Sequence, residues 1–379
     1  MEKLLSIIVP TKNRYGTLKF IVETVSRMEV EELELIIQDN SDDNSEFIEI
    51  LNEYKSDNIK YFYSNEKLSV VDNSNLAVKH SMGEYVCFIG DDDSFSYQII
   101  NCVKYMKKEQ IDSAVFNRAN YFWPDVEFAT HKFPSLTIPN YKNTIEKIYV
   151  DYELNKCLNM GASNFTKIPK LYHGIVRRQC LEQIYENAGS YFPGPSPDMA
   201  NAIALCFCVK KHVYIDSPII INGSSFNSGG GQGARHGHNG KLEDMKFLPK
   251  DTVEKWEKNI PKIWTVSTIF AESAIKSLRA MGKEKMIEKF NFSYHYANFI
   301  CYDTEYKNMI KPYLTSSINL KIILHILQIT AKRGVMFIKN LLMTRLGISD
   351  NKIYNDILNS YTAHINVSSD IRSRNNIFI

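Results

Sequence analysis

Short apolar runs alternate with amphipathic segments along the first third of the chain. Runs rich in valine, isoleucine, phenylalanine and tyrosine predict strands at residues 4–9, 33–37, 59–63, 85–89 and 114–116. Between them, apolar positions recur every three or four residues, which predicts helices at residues 18–28, 46–54, 70–80 and 97–107. This alternation predicts an α/β fold in which helices flank a Rossmann-like, mostly parallel sheet.

The pattern becomes less regular beyond residue 120. Prolines in residues 124–139 predict an excursion from the sheet, helical periodicity returns at 144–158, 177–188 and 200–209, and 213–221 resembles a strand. A glycine-dense segment without periodicity follows at 222–240, and from about residue 251 the pattern is almost wholly helical. We therefore divide the chain into regions 1–120, 121–250 and 251–379.

Polar side chains follow three of the predicted strands at the point where each strand ends. They are Thr11, Asn13 and Arg14 after the first strand, Asp39 after the second, and Asp91, Asp92 and Asp93 after the fourth. In open α/β sheets the ligand crevice lies at the carboxyl ends of the strands. We expect these side chains to converge on one binding surface.

The three consecutive aspartates at 91–93 are the sharpest motif in the sequence. Their charges repel one another, and a hard divalent cation held by one or two carboxylates and by substrate phosphates would offset that repulsion. The alternative is a solvated acidic turn that caps the following helix, because aspartate also favours helix N-termini. The motif by itself leaves both interpretations open.

Composition narrows the classes of function. The chain has 379 residues, with 45 Lys and Arg against 43 Asp and Glu, so its net charge is only +2. Such a balance disfavours a nucleic-acid-binding protein. Seven cysteines without a C-x-x-C pair indicate reduced thiols and a cytoplasmic location. The N-terminal apolar run is too short for a signal peptide, and no run reaches the roughly 18 apolar residues of a membrane span.

Four separated pieces of the chain carry a family resemblance. They are residues 7–14, residues 65–93, residues 193–198 and residues 229–238. In this order they resemble the inverting glycosyltransferases of family 2, which have the GT-A fold of nucleotide-diphospho-sugar transferases. By this resemblance, region 1–120 is the nucleotide-sugar-binding half, 121–250 is the acceptor-binding half with a glycine-rich lid, and 251–379 is a helical C-terminal region.

The resemblance also implies an activity. A sugar would pass, with inversion, from a nucleotide-diphosphate donor such as a UDP-sugar to a hydroxyl of a bacterial-type surface polysaccharide or lipid-linked glycan. The implied cofactor is Mn²⁺ or Mg²⁺. The matching donor-binding positions are Pro10, Thr11, Asn13, Arg14, Asp39, Asn73, Asp91 and Asp92.

Asp91 and Asp93 match the two ends of the family's D-x-D signature. By the resemblance Asp93 holds the metal, Asp91 approaches the ribose or sugar and is the second candidate metal ligand, and the role of Asp92 stays ambiguous. For Asp39 the alternative is an Asx turn with the residues that follow it. In the glycine-dense segment, the implied roles are phosphate binding for Arg235 and metal or phosphate binding for His236 or His238. A lid over the donor is the expected structure there, and a linker between domains is the alternative.

Asp198 is the expected catalytic base. The prolines at 193, 195 and 197 fix the chain before the next helix, and Asp198 stands at the start of that helix. The family has an acidic residue acting as general base at such a position, although Pro197 replaces the usual glutamate before it. A carboxylate that only caps the helix is the alternative.

The C-terminal region contains two strongly apolar stretches, 320–327 and 335–343, with interspersed lysines and arginines. A basic amphipathic stretch of this kind can lie on an anionic membrane surface, which would place the protein at the inner face of the cell membrane. Core packing or a homo-oligomer interface is the default interpretation of such a stretch.

Two other functions compete with the transferase. A sugar nucleotidyltransferase also uses carboxylates and a divalent ion, but it is expected to have a glycine-rich and basic loop after the first strand, where residues 10–16 hold one glycine. The third hypothesis is a non-catalytic module that binds nucleotide sugars or a membrane.

Overall fold

The chain folds as two β-sheets surrounded by helices. The computed structural model describes residues 3–126, 134–229, 231, 239–245, 247–249, 251–314, 316–346 and 351–374. Its strands are β1 (Leu5–Thr11), β2 (Leu33–Asp39), β3 (Ile59–Tyr63), β4 (Tyr85–Phe88), β5 (Ser94–Phe95), β6 (Ser113–Phe116), β7 (Ala119–Phe122), β8 (Ser135–Ile138), β9 (Ile145–Ile148), β10 (Gly174–Arg177), β11 (His212–Ile215), β12 (Ile220–Ser224) and β13 (Lys352–Asn355). Its α-helices are α1 (Tyr15–Met28), α2 (Ser45–Glu53), α3 (Val70–His80), α4 (Ile99–Lys108), α5 (Val150–Asn159), α6 (Arg178–Ala188), α7 (Pro197–Leu205), α8 (Val266–Ala280), α9 (Phe292–Tyr302), α10 (Ser316–Arg345) and α11 (Ser360–Ser373).

The larger sheet has the strand order β3-β2-β1-β4-β10-β6-β11-β9. Strands β1 to β4, β6 and β11 run in one direction, and β9 and β10 run in the other. The predicted α/β fold with a mostly parallel sheet flanked by helices is therefore confirmed.

The strands and helices predicted in the first 120 residues are all present, with ends shifted by at most three residues. Strands β1 and β2 are almost wholly buried because helices cover both faces of the sheet, so their sequences are apolar rather than alternating. Helix α1 buries one stripe, which includes Leu18, Ile21, Val22 and Val25. These patterns depend only on residues that are close together in the sequence, which is why the sequence predicts these strands and helices.

Two predictions in the middle of the chain are wrong. The predicted helix at 144–158 is strand β9 followed by helix α5. The predicted strand at 213–221 is two strands in different sheets, because Pro218 lies between β11 and β12 and the chain changes sheet there. The carboxylate of Asp216 accepts hydrogen bonds from Asn117 Nδ2 and the Lys142 N–H, which holds this corner.

The smaller sheet joins the end of the chain to its beginning. Its strand order is β13-β8-β7-β12-β5, with β13 antiparallel to β8. Region 251–379 is therefore largely helical, as predicted, but it also supplies this edge strand. Helix α11 then packs on the N-terminal half and buries Ala363, Val367 and Ile371.

Candidate functional site

The carboxyl ends of β1, β2 and β4 meet at one edge of the larger sheet. Thr11, the last residue of β1, lies beside Asp39, the last residue of β2. The Thr11 hydroxyl also donates to Asp91 Oδ2 at 2.7 Å, which ties the end of β1 to the loop after β4. The expected convergence of these positions is present in the structure.

The acidic triad, which we define as Asp91, Asp92 and Asp93, is almost completely buried, with 3%, 3% and 1% of each residue exposed. Arg14 bridges the first two carboxylates: its Nη1 lies 2.8 Å from Asp91 Oδ1, and its Nη2 lies 3.2 Å from Asp92 Oδ1. Burial raises the pKa of Asp91 to about 7, although Arg14 opposes the shift. The guanidinium of Arg14 therefore serves as a built-in counter-ion for the triad.

Asp93 is held by a different set of donors. Its Oδ2 accepts hydrogen bonds from the Gly90 N–H at 2.6 Å, from His173 Nε2 at 2.6 Å and from the Tyr172 hydroxyl at 3.3 Å. Its Oδ1 accepts from the Gly223 N–H at 2.7 Å. Burial by itself would raise the pKa of Asp93, but His173 and these N–H groups hold it below its ordinary value.

His173 links the triad to a second cluster of charge. Burial lowers the pKa of His173, which favours the neutral ring although Asp93 opposes the shift, and Nε2 is hydrogen-bonded to Asp93. The other ring nitrogen, Nδ1, then accepts from Arg118 Nη1. Its backbone has a φ of 58°, in the left-handed region, which is rare for residues other than glycine. The aspartate, the imidazole and the guanidinium thus form one continuous hydrogen-bonded chain.

The triad does not fit a divalent metal ion in this arrangement. Both oxygens of Asp93 already accept protein hydrogen bonds, and Arg14 occupies one oxygen each of Asp91 and Asp92. Within the described part of the chain, no group of three His, Cys, Asp or Glu side chains is placed to hold a metal. A metal ion would first have to displace Arg14 or His173. The assignment of Mn²⁺ or Mg²⁺ to Asp91 and Asp93 stays a prediction.

Manganese titration tests this arrangement directly. In the absence of nucleotide, we expect wild-type protein to bind Mn²⁺ weakly, because the triad oxygens are occupied. Replacing Arg14 with methionine frees an oxygen on both Asp91 and Asp92, so binding should tighten. The loss of the free-Mn²⁺ signal in electron paramagnetic resonance measures both affinities. Tight binding by the wild type with no gain in the variant would contradict the arrangement described here.

Two of the expected donor-binding residues, Asp39 and Asn73, make hydrogen bonds within the protein. Asp39 is fully buried, and its carboxylate accepts from the Ser41 N–H and hydroxyl and from the hydroxyls of Tyr15 and Tyr61. This is the Asx turn that was the alternative for Asp39, and it is reinforced by two tyrosines. Asn73 Nδ2 lies 3.3 Å from the Gln38 carbonyl and 3.4 Å from that of Thr11, and so bridges β1 and β2.

Asn13 and Arg14 border an open groove. Asn13 has a φ of 56° and exchanges hydrogen bonds with Asp42, which fixes the turn that aims Arg14 at the triad. The groove has a volume of about 750 Å³ and is also lined by Trp123 and Ser225. Small-molecule sites are typically about 300–1,000 Å³, so a nucleotide is of suitable size for it.

Asp198 lies in the first turn of α7, directly after Pro197. The residue is half-buried, and its carboxylate lies near Lys170, Asp93 and Arg118. Burial raises the pKa of Asp198 to about 6; Lys170 opposes this shift, and Asp93 adds to it. Among the described residues, no side-chain donor is hydrogen-bonded to the Asp198 carboxylate. It is therefore the one carboxylate of this cluster that no described side chain binds; the donor acting on it is its own backbone N–H.

Lys170 is a buried cation near Asp198, with 8% of the residue exposed. Its Nζ lies over the ring of Phe165, at 5.2 Å from the centroid. Burial and the nearby Arg118 lower the pKa of Lys170 to about 8, although Asp198 opposes the shift. The ammonium is thus held close to Asp198 without a direct ion pair.

Several residues of the site carried no signal in the sequence. They are Arg118, Trp123, Lys170, His173, Gly223 and Ser225. His173 precedes the antiparallel strand β10, and Gly223 lies in β12 of the second sheet, so neither follows a predicted parallel strand. Ser225 donates to Asp92 Oδ2 through both its N–H and its hydroxyl, at 2.9 and 2.8 Å. Predicting these contacts requires the strand order, which periodicity does not contain.

Gly223 has no room for a side chain. A Cβ at this position would lie 1.8 Å from the Asp92 carbonyl oxygen. We expect Gly223→Ala to push the triad away from β12 and to lower stability by about 1–3 kcal/mol, as overpacked sites commonly do. Gly229→Ala is the matched control, because a Cβ there meets nothing within 4 Å. Equal chemical denaturation midpoints for the two variants would contradict this prediction.

Three expected residues, Arg235, His236 and His238, lie outside the described residues. Ser225, in the described part of the glycine-dense segment 222–240, donates its N–H to Asp92 of the triad. The expected lid and its linker alternative both stay predictions.

Comparison with known proteins relates part of this chain to a protein family. The sequence profile described as "Glycosyl transferase family 2" matches residues 6–165, a segment that contains Arg14 and the triad. A curated relative, the GalNAc(5)-diNAcBac-PP-undecaprenol beta-1,3-glucosyltransferase of Campylobacter jejuni, is 36% identical over 92 residues. That match covers 24% of this chain and 29% of the relative, so the chain spans less than a third of that protein's length.

Two solved structures are also similar. Residues 1–349 of S. aureus TarS, in complex with UDP-GlcNAc, match 85% of this chain and 79% of that one, at 13% identity and a TM-score of 0.48. The Pyrobaculum calidifontis mannosyltransferase PcManGT, in complex with GDP-Man and Mn²⁺, matches 89% and 88%, at 12% identity and a TM-score of 0.40. The family match is therefore carried by residues 6–165 of this chain, which are similar to glycosyl transferase family 2.

Proposed function

We propose that this protein transfers a sugar, with inversion, from a UDP-linked donor to a hydroxyl of a surface polysaccharide or lipid-linked glycan. One observation carries the proposal. Of the four clustered carboxylates, the three of the triad are bound by protein side chains, and Asp198 alone has no side-chain donor among the described residues, so it can accept a proton. A transferase that works by single displacement needs such a base beside its donor site.

The family match at residues 6–165 favours this proposal over the alternatives. A nucleotidyltransferase would have to bind a triphosphate at the loop after β1, where Asn13 and Arg14 are instead engaged with Asp42 and the triad. A non-catalytic module would have no need of an unpaired, half-buried carboxylate, which costs stability. The acceptor class is supported by the name of the curated relative, which acts on an undecaprenol-linked glycan.

The proposed step uses Asp198, Arg118 and Lys170. Asp198 takes the proton of the acceptor hydroxyl, whose oxygen forms a bond to the anomeric carbon on the face opposite the diphosphate. The bond between that carbon and the diphosphate oxygen breaks, and UDP leaves with the electron pair. Arg118 and Lys170 place positive charge beside the triad, where they would favour a leaving diphosphate. No step is assigned to a divalent ion, because the triad does not fit one in this arrangement.

A donor panel tests the proposal. The protein is incubated with UDP-, GDP- and dTDP-sugars and a lipid-linked acceptor, and release of nucleoside diphosphate is measured together with the anomeric configuration of the product by NMR. We expect UDP release and an inverted linkage. Pyrophosphate release from a nucleoside triphosphate and a sugar phosphate would support the nucleotidyltransferase instead. Binding without release of either would support the non-catalytic module.

We place the proposed reaction on the cytoplasmic side of the membrane.

The pH dependence of the reaction should report on Asp198. A base must be deprotonated to act, so kcat/KM should fall as pH drops through about 6, the pKa of Asp198. We call this fall at low pH the acidic limb of the pH profile. Lys170→Met removes the cation that favours the carboxylate, so the acidic limb should move to higher pH. Lys167→Met is the control, because Lys167 pairs with Glu146 at the surface. An acidic limb unchanged by Lys170→Met would contradict the assignment.

A further inference from the structure

Helix α10 leaves most of its surface without a protein partner. It has 30 residues, and one side of its N-terminal half packs on α9 through the buried Ile322 and Ile329. From residue 330 onward, almost every side chain described is exposed. None of the described helices is long and apolar enough to cross a bilayer. The exposed surface of α10 therefore needs another explanation.

Eight of the exposed apolar residues of α10 form one stripe, and Met336 and Phe337, which are 56% and 69% exposed, lie outside it. The stripe consists of Leu320, Ile323, Leu324, Leu327, Val335, Ile338, Leu341 and Leu342, each between 43% and 67% exposed. The triplet at 320, 323 and 324 recurs 18 residues later at 338, 341 and 342, which is about five helical turns. Both triplets therefore face the same direction. The stripe runs along the helix on a side different from that of Ile322 and Ile329.

Positive charge borders the stripe. Residues 316–346 contain five Lys and Arg residues and no Asp or Glu. Lys321 and Lys339 are also 18 residues apart, and Lys332 lies within about 20° of them around the helix axis. These three exposed lysines therefore form a row along one flank of the stripe. The two arginines lie outside this row: the Arg333 guanidinium stacks on the ring of Tyr302, and Arg345, 18 residues after Leu327, lies on the stripe side of the helix.

We propose that α10 lies in the plane of an anionic lipid bilayer surface, with the stripe in the headgroup and acyl boundary and the lysine row against anionic headgroups. An apolar stripe, a cationic flank and no acidic residue are the features of an interfacial helix. A second copy of this chain is a poorer partner, because two such helices would bring like charges together without acidic residues between them. The proposal stands on α10 alone and does not depend on the transferase activity.

Vesicle sedimentation of the full chain tests the proposal. With vesicles of phosphatidylcholine and phosphatidylglycerol at about 50 mM salt, we expect most of the protein to sediment; with phosphatidylcholine alone or at high salt, binding should fall. The double variant Leu327→Glu and Ile338→Glu should bind at least about tenfold more weakly, because it places charge in the stripe. Lys332→Glu with Lys339→Glu should lose the preference for anionic lipid.

Met82→Glu is the matched control, since Met82 is 72% exposed and lies far from α10 in the sequence. It should sediment as the wild type does. Thermal unfolding of each variant shows whether the fold is kept. No sedimentation of the wild type with anionic vesicles, or equal binding by the stripe variant and the control, would overturn the proposal. A dimer in light scattering that the stripe variant converts to a monomer would also overturn it, in favour of a second copy as the partner.

Discussion

Replacing Asp198 with asparagine is expected to lower turnover by about 10² to 10⁴-fold while leaving donor affinity nearly unchanged. Asparagine keeps the size of the side chain and much of its hydrogen bonding, but it cannot accept the proton of the acceptor hydroxyl. The carboxylate makes no described side-chain hydrogen bond, so the change removes little that holds the fold. Steady-state kinetics and calorimetry with UDP measure the two effects separately.

The control for this prediction is Asp151→Asn. Asp151 also lies in the first turn of a helix, α5, but it is exposed. It therefore reports the effect of losing a carboxylate at a helix N-terminus without loss of the base. Near-native transfer by Asp198→Asn, or a product that keeps the donor's anomeric configuration, would show that Asp198 is not the base of a single displacement.

Replacing Arg14 with methionine is expected to cost about 3–5 kcal/mol of stability at pH 8, because it leaves Asp91 and Asp92 buried without their counter-ion. Donor affinity should fall as well, since Arg14 lines the groove. Without Arg14, the pKa of Asp91 in the folded state should rise further above its value in the unfolded chain. A carboxyl with a raised folded pKa stabilises the fold at low pH, and that stability is lost as pH rises. The variant should therefore be less impaired at pH 5 than at pH 8.

Urea denaturation at both pH values measures these effects. Arg279→Met is the matched control, because Arg279 is half exposed and pairs with Glu257 at 3.0 Å on the surface. Such exposed pairs contribute at most about 1 kcal/mol. If Arg14→Met were no more destabilising than Arg279→Met at pH 8, the guanidinium would not be the counter-ion of the triad.

The sequence predicts what depends on neighbours along the chain. The parallel core from β1 to β4 and its helices follow from local periodicity, and parallel strands bring Thr11 to Asp91. The position of Asp198 in the first turn of a helix also follows from a local feature, the prolines before it, while its role as the base stays a prediction. The sequence alone therefore suffices to identify the edge of the sheet on which the site lies.

The partners of the triad could not be predicted. His173 reaches Asp93 across 80 residues, and Ser225 reaches Asp92 across 133, through strands whose place in the sheets has no local signature. Without those donors, three adjacent aspartates indicate a cation site. With them, the same aspartates form a buried network that protein groups neutralise. The role of Asp39 is ambiguous for the same reason, because Tyr61 approaches it from β3.

The return of the chain end to the smaller sheet has a consequence for synthesis on the ribosome. The Tyr121 hydroxyl donates to the Ile357 carbonyl across 236 residues, and Tyr141 donates to Asp370 across 229. During translation, β7, β8 and the segment around Tyr141 leave the ribosome long before β13 and α11 are made. The nascent chain must keep an unpaired edge at β8 until then, which exposes it to aggregation. Because closing so long a loop is entropically costly, we expect docking of the chain end to be the slow step of refolding. A nascent chain stalled before residue 352 would therefore keep this edge open.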